Sequence, residues 1–162
     1  MRRVAIGAVA AAALGLLGVG LAARGGERSA CGEVGDRERV ASPVRARSAF
    51  VRCGSDGSAW LFVVDRGVAR RLVPASYGCC YRPSASVVFR EPAWSPDGRR
   101  IAAVVDDVGG TDVWVLEADG KRARRLTTGP ERERAPQWSR DGDRVTVATE
   151  TGRRRTIAVP AR

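Results

Sequence analysis

The side chains available for catalysis are restricted in this chain, because none of its 162 residues is a histidine. Ser-His-Asp and Cys-His catalysis, HExxH metalloprotease sites and histidine-ligated zinc sites all need an imidazole as a base or a ligand. Ser76 precedes Tyr77 and Gly78 but has neither a GxSxG nucleophile elbow nor a base. The composition therefore excludes the common hydrolase mechanisms, and we predict that the protein is not an enzyme.

Carboxylates offer two further possibilities for chemistry. Asp106, Asp107 and Asp112 lack the one-three-five alternation of carboxylates in a calcium loop, so we interpret them as solvated hairpin charges. Asp106 and Glu150 would form an acid–base pair only if the fold brought them face to face, and their spacing does not require this. We therefore predict no metal site and no cofactor.

The N-terminus has the form of an export signal. Arg2 and Arg3 precede an uncharged apolar run of 20 residues from Val4 to Ala23, which Arg24 closes. The run just reaches the ~20 residues that span a bilayer as a helix, so residues 1–23 are predicted to be either a cleaved signal peptide or a retained signal anchor. Residues 24–44 are predicted to form a linker. We expect the remainder to lie outside the cytoplasm, secreted or anchored to the cell membrane only through this apolar helix.

Export decides how the four cysteines are interpreted. Outside the cytoplasm, the first interpretation of an even number of cysteines is that they form disulfides. No CxxC pair occurs, so nothing supports a zinc ribbon or a thioredoxin-like redox site. A bridge between the adjacent cysteines would close a strained ring, so we expect each of them to pair with a distant partner. The disulfide candidates are Cys79 and Cys80 with Cys31 and Cys53.

The charge pattern argues against nucleic acid, although 28 Lys+Arg against 18 Asp+Glu give a formal net charge of +10. Phosphate binding needs clustered basic residues. Here they occur as pairs and triplets scattered between acidic residues, as at Arg70-Arg71 and Arg153 to Arg155. All of the 28 basic residues except Lys121 are arginines, and this preference for arginine resembles an effect of genomic base composition. We predict no binding to nucleic acid.

An internal repeat organises the chain. The segment from Glu91 to Ile101 recurs 44 residues later, from Ala135 to Val145. A second pairing links Ala69–Leu72 to Ala123–Leu126, 54 residues apart, with the extra residues around Tyr77 to Tyr81. The motif residues are Pro92, Trp94, Ser95, Pro96, Asp97 and Gly98 in one copy and Pro136, Trp138, Ser139, Asp141 and Gly142 in the other, where Arg140 replaces the second proline. We divide residues 45–162 into units of about 45–90, 91–134 and 135–162.

The middle unit is complete and predicts a four-stranded antiparallel meander. Ser95 to Gly98 are predicted to form a hairpin turn. The proline supplies the φ that the second position of the turn needs, the aspartate side chain can hydrogen-bond to its own backbone, and the glycine adopts positive φ. Arg100 to Asp106 and Asp112 to Ala118 are predicted strands, and Arg122 to Thr127 is predicted to be a charged outer edge strand. Val113 to Leu116 is apolar on both alternating faces, so we expect these strands to be covered on both sides.

The motif Pro-x-Trp-Ser-Pro-Asp-Gly-x-x-Ile, followed by an aromatic-bearing strand and Arg-Arg-Leu-Thr, resembles the WD40-like repeat of the TolB-type β-propeller family. Residues 91–129 match throughout, residues 135–150 match the first half of a copy, and residues 48–73 match a degenerate copy. The resemblance implies an all-β fold, a partial β-propeller of two to three four-stranded antiparallel blades preceded by the N-terminal apolar helix. We expect Trp94 and Trp138 in the core between blades and Asp97 and Asp141 in turns.

The resemblance also implies a function, since TolB-like proteins lie in the bacterial envelope and bind other envelope proteins. We expect an exported protein-binding module or scaffold. About 120 residues after the linker allow three blades at most, whereas propellers usually close with four to eight. An open arc, a propeller completed by a partner or a second copy, and a shortened descendant of a longer gene all remain open. We expect the ends of the arc to present apolar blade faces or unpaired strand edges, through which an envelope protein or a second copy binds. The alternative is a propeller remnant or accessory domain of a peptidase or polysaccharide lyase system.

Overall fold

Eleven β-strands form three antiparallel meanders in the computed structural model, which describes residues 35–44, 46–72, 87–107 and 110–161. The first meander contains β1 (Gly35–Ala41), β2 (Arg47–Cys53), β3 (Ala59–Asp65) and β4 (Val68–Arg71). The second contains β5 (Val88–Trp94), β6 (Arg100–Asp107), β7 (Gly110–Glu117) and β8 (Ala123–Arg125). The third contains β9 (Glu133–Trp138), β10 (Arg144–Thr149) and β11 (Arg154–Ala158). The described residues include no helix, so the all-β prediction is confirmed for them.

Strand pairing follows the chain order within each meander. The predicted strands Arg100 to Asp106 and Asp112 to Ala118 correspond to β6 and β7, and the predicted edge strand Arg122 to Thr127 corresponds to the shorter β8. The first and second meanders are joined by one parallel bridge, between Ala59 and Val88. β11 pairs with β10, and no described strand lies on its other side.

The first meander begins earlier than the sequence predicted. Residues 35–41, which we placed in the linker, form β1 and pair with β2, so that Ala41 lies opposite Ser48. The side chains of β1 are mostly exposed, and the strand therefore has no apolar periodicity that would reveal it. Ser42-Pro43 then takes the place of Ser95-Pro96, and the N–H of Ser42 donates to the carbonyl of Arg47 at 2.9 Å.

Two hydrophobic clusters hold the meanders face to face. The cluster between the first and second meanders includes Leu61, Leu72, Phe89, Ile101 and Leu116. The cluster between the second and third meanders includes Ala102, Val104, Val113, Val145 and Val147. β7 contributes to both clusters, and residues 113–116 are all at most 8% exposed. The prediction that these strands are covered on both sides is therefore confirmed.

The predicted apolar end faces are present only in part among the described residues. The large hydrophobic side chains that are exposed there are Val44 and Val68, which lie in a turn and on the outer strand β4. The outer face of the third meander carries arginine and threonine, whereas that of the first combines Ser48 and Arg52 with Phe50, Phe62 and Val64. The other expected feature, an unpaired strand edge, is present at β11.

Several predictions fall outside the described residues. The export signal, Ser76 and the cysteines Cys31, Cys79 and Cys80 lie there. Cys53 lies at the end of β2 and is 1% exposed, and the predicted disulfide pairing stays a prediction. In the part of the chain that the structure describes, no helix has the length and apolarity to cross a membrane.

Candidate functional site

The repeated turn is built around one serine hydroxyl. The Oγ of Ser95 donates to Oδ1 of Asp97 at 2.6 Å and accepts the backbone N–H of Arg100 at 2.9 Å. Oδ1 of Asp97 also accepts the N–H of Arg99 at 3.0 Å. Burial is the largest influence and raises the pKa of Asp97, but these two hydrogen bonds together with the charges of Arg99 and Arg100 bring the pKa below its usual value. The two side chains therefore tie both sides of the β5–β6 hairpin together.

Gly98 lets this hairpin pack closely against the first meander. Its φ is 62°, in the left-handed region that favours glycine. A Cβ at this position would lie 2.8 Å from the Oγ of Ser42, which is closer than a carbon and an oxygen can approach. A Cβ at Gly142 would lie 3.4 Å from the Cδ of Pro96, which is an ordinary van der Waals contact. The turns of successive meanders are therefore in contact with one another.

The second copy of the turn has the same hydrogen bonds in a more solvated setting. The Oγ of Ser139 donates to Oδ1 of Asp141 at 2.5 Å and accepts the N–H of Arg144 at 2.9 Å. The bond from Ser139, followed by hydrogen bonds from Asp143, lowers the pKa of Asp141 to about 2. Arg140 stands in the place of the proline without changing this pattern. The motif aspartates therefore act within turns.

Each motif tryptophan contacts the preceding meander. The indole Nε1 of Trp94 donates to the carbonyl of Val40 at 3.2 Å, and Nε1 of Trp138 donates to the carbonyl of Ala93 at 3.0 Å. The guanidinium carbon of Arg100 lies 5.0 Å from the centre of the Trp138 ring. The structure thus places both tryptophans between meanders and not on an open binding surface.

The motif prolines lie beside β-bulges. Pro92 and Pro136 are buried on β5 and β9, where the register with the next strand shifts. The residue before each proline has a positive φ, 52° at Glu91 and 51° at Ala135. A proline donates no ladder hydrogen bond, so a bulge is a position that tolerates it. The prolines therefore have a backbone role.

Two glutamates that the sequence analysis did not single out connect these bulges. Glu38 has a φ of 51° at the equivalent bulge in β1. Its Oε2 accepts the N–H of Glu91, whose own Oε2 accepts the N–H of Ala135. Burial is the largest influence on Glu38 and raises its pKa. In the sequence, one glutamate stands three residues before Ala41 and another stands three residues before Trp94. This correspondence can be recognised only when β1 is aligned with β5.

Three of the four carboxylates considered for chemistry lie within 4 Å of an arginine. Asp106 lies 2.9 Å from the guanidinium of Arg90, and Asp112 pairs with Arg125. Asp112 is 3% exposed, so its interpretation as a solvated hairpin charge was wrong. Glu150 lies on the third meander, 3.9 Å from its arginine partner. The described residues contain no group of three or more Cys, Asp or Glu side chains that could hold a metal. These side chains therefore stabilise the meanders.

The outer edge of β11 is the candidate binding surface. The equivalent strands β3 and β7 each pair on that side with a short fourth strand, β4 or β8. Beside β11, a cavity of about 400 Å³ is lined by residues 155–158 and by Leu126 to Thr128. An unpaired strand edge has free N–H and C=O groups that can pair with another strand.

Comparison with known proteins gives partial matches, and no protein-family model matches the chain. The Tol-Pal system protein TolB of Anaeromyxobacter dehalogenans (strain 2CP-C) is 49% identical over 45 residues, which are 28% of this chain and 10% of that protein. The uncharacterized peptidase YuxL of Bacillus subtilis (strain 168) is 35% identical over 68 residues, 41% of this chain and 10% of that protein. The solved acylaminoacyl peptidase of Pyrococcus horikoshii has a TM-score of 0.51 at 14% identity, over 72% of this chain and 17% of that one. Structures of a TolB and of a β-propeller domain match with TM-scores below 0.5.

Three antiparallel meanders packed face to face define the class of protein, a β-propeller repeat protein. Over part of its length the chain is similar to TolB, so the resemblance predicted from the motif is confirmed. The chain matches a tenth of the length of the curated relatives.

Proposed function

We propose that this chain is an exported, TolB-like propeller-repeat protein with three blades, one for each meander, that acts as a protein-binding module or scaffold in the cell envelope. The likeness to TolB supports the envelope setting, because that relative is named as a protein of the Tol-Pal system. The apolar run from Val4 to Ala23 supports export. The observation that carries the binding role is the open outer edge of β11.

A partner binds by adding a strand to β11. In the first two meanders the same edge holds a fourth strand of 4 or 3 residues, so its geometry suits a short antiparallel segment. Main-chain hydrogen bonds supply the affinity in this mode of recognition, and side-chain pockets supply the specificity. The cavity between β11 and Leu126 to Thr128 offers space for such side chains.

The charge of this edge favours an acidic partner. Arg153, Arg154 and Arg155 follow one another, and the side chain of Arg153 is 80% exposed. Arg155 pairs with Glu133 but keeps 49% of its side chain exposed. Like charges directly opposite one another destabilise a strand pair, whereas opposite charges stabilise it. An envelope protein with an acidic strand is therefore favoured over a second copy of this chain.

Site-specific photo-cross-linking of the full chain in its own cell envelope tests the proposal. A photoreactive side chain at Thr156, exposed on β11, should cross-link to an envelope protein. The matched control position is Val68, which is 70% exposed on the outer strand β4. Absence of cross-links from position 156, or equal cross-linking from position 68, would contradict binding at this edge.

A second candidate function is that of an accessory domain or remnant in a peptidase system. The 35% identity with the peptidase YuxL over 68 residues favours it. The chain itself has no histidine to act as a base, so the reaction would belong to the partner. Mass spectrometry of the protein cross-linked at position 156 separates the candidates, because this one requires a peptidase there.

A further inference from the structure

The second and third meanders each contact the preceding meander through a tryptophan, and the first meander has no equivalent tryptophan. Trp94 and Trp138 each donate a hydrogen bond to a carbonyl of the meander before them. In the strand register, Ala41 occupies the equivalent position of β1. An alanine side chain has no hydrogen-bond donor, so this contact cannot be made on the outer side of the first meander.

The first and second meanders each contact the following meander through a glutamate, and the third meander has no equivalent glutamate. Glu38 accepts the bulge N–H of Glu91, and Glu91 accepts the bulge N–H of Ala135. Ala135 has no carboxylate to accept a further N–H. The series of carboxylate contacts therefore runs forward through the three meanders and ends at the third.

The outer face of the first meander carries the apolar Phe50, Phe62 and Val64, but it is polar at two positions where the second meander is apolar. Ile101 and Val105 pack toward the first meander and are 0% and 1% exposed. Their equivalents are Ser48 and Arg52, whose polar groups favour contact with water. Packing another blade on this face would desolvate them.

Two arginines cover the aromatic pair on the same face. Phe50 and Phe62 stack with ring centres 5.4 Å apart. The guanidinium of Arg52 lies 5.1 and 4.9 Å from these two centres, and that of Arg39 lies 4.5 Å from the Phe50 ring. Asp36 holds Arg52 at 2.7 Å and Arg39 at 3.5 Å. As a result Phe50 is 1% exposed although no other meander covers it.

The outer face of the third meander is polar as well. Val113 and Val115 pack between the second and third meanders, whereas their equivalents Arg154 and Thr156 are exposed. The hydroxyls of Thr146 and Thr156 hydrogen-bond to each other at 2.8 Å. The polar groups of this face are hydrogen-bonded to one another or in contact with water, and the apolar side chains beside them, Ala148 and Ala158, are small.

We infer that the first and third meanders are dedicated end units, whose outer faces stay in water and do not dock a further blade from a second copy or from another protein. Polar outer faces on terminal repeats are what stacked repeat arrays need for solubility. Two independent features agree at each end: a missing contact residue, and an outer face that is polar in the third meander and covered by arginines over Phe50 and Phe62 in the first. The inference does not rest on the proposed function, because a strand added to β11 would leave both faces free.

Removing the arginine cover tests the inference on the full chain. The variant Arg39→Ser with Arg52→Ser uncovers the two stacked rings. The matched control is Arg37→Ser, an exposed arginine of the same strand that is not part of the cover. In sedimentation velocity over a concentration series, the double variant should self-associate at least about tenfold more tightly than the wild type and the control. Equal association of all three proteins would overturn the inference.

A second measurement avoids any loss of stability in the variant. Photoreactive side chains are placed one at a time at Ser48 and Gln137, one on each outer face and the second on β9, away from the β11 edge, in an otherwise unchanged chain. Neither position should cross-link to another molecule, whatever happens at Thr156. A reproducible intermolecular cross-link at either position would overturn the inference and would leave the proposed binding at β11 untouched.

Discussion

Replacing Ser95 with alanine should destabilise the protein more than the same replacement at Ser139. The two serines make equivalent hydrogen bonds to an aspartate and to a backbone N–H five residues later. They differ in burial, because Ser95 is 0% exposed and Ser139 is half-buried. The comparison therefore isolates the effect of burial on one hydrogen-bonded turn.

The expected magnitude follows from what each alanine leaves behind. In Ser95→Ala, the N–H of Arg100 loses its side-chain acceptor where water has little access, which costs about 1–3 kcal/mol. In Ser139→Ala, water can replace the lost partner, so the cost is closer to the ordinary net value of about 0.5–1.5 kcal/mol. We expect Ser95→Ala to be the more destabilising variant by about 1 kcal/mol.

Equilibrium urea unfolding of the two variants measures this difference, with thermal unfolding as a second observable. For a chain of this size, 1 kcal/mol corresponds to a shift in Tm of about 2–4 °C. Ser55→Ala in an exposed turn serves as a control and should stay within about 0.5 kcal/mol of the wild type. Equal destabilisation by Ser95→Ala and Ser139→Ala would refute the reasoning, because burial would then have no influence on the cost.

Three further predictions concern pH, export and oxidation. Because the hydrogen bond from the neighbouring serine lowers the folded-state pKa of Asp141 to about 2 from 3.8, its contribution to stability is present above pH ~4 and is lost as the pH falls toward ~2. Asp141→Asn should flatten the pH dependence of the unfolding free energy in that window, and an unchanged slope would disprove the assignment. A reporter fused to the C-terminus should be active only outside the cytoplasm, and activity confined to the cytoplasm would rule out export. Non-reducing peptide mapping of exported protein should find Cys79 and Cys80 each joined to Cys31 or Cys53, whereas four free thiols would exclude disulfides.

The hairpin turns could be predicted from the sequence because their chemistry is local. The hydrogen bonds of Ser95 and Asp97 and the positive φ of Gly98 all lie within one stretch of six residues. The types and spacing of these residues are therefore sufficient to identify the turn. The strand β7 could be predicted equally well, because a strand that is apolar on both faces must be packed against other parts of the protein on both sides.

The first strand of the first meander could not be found in this way. β1 is charged and mostly exposed, and a charged stretch before a repeat is typical of a linker. Its place in the sheet depends on pairing with β2 and on the contact of Glu38 with Glu91, which lies 53 residues away. A pattern read over a short window contains neither of these partners.

The amino-acid sequence was therefore sufficient for the all-β class, the repeat, the turns and the likeness to TolB, since each of these depends on neighbouring residues or on a repeated motif. The chemistry of the two end faces was decided by tertiary structure. Serine, arginine and threonine on a strand are compatible with either an exposed or a paired face, and only the register of the strands shows that they stand where the second meander has isoleucine and valine. The cover over Phe50 and Phe62 likewise needs β1, β2 and β3 side by side, because Asp36, Arg39 and Arg52 come together only across paired strands.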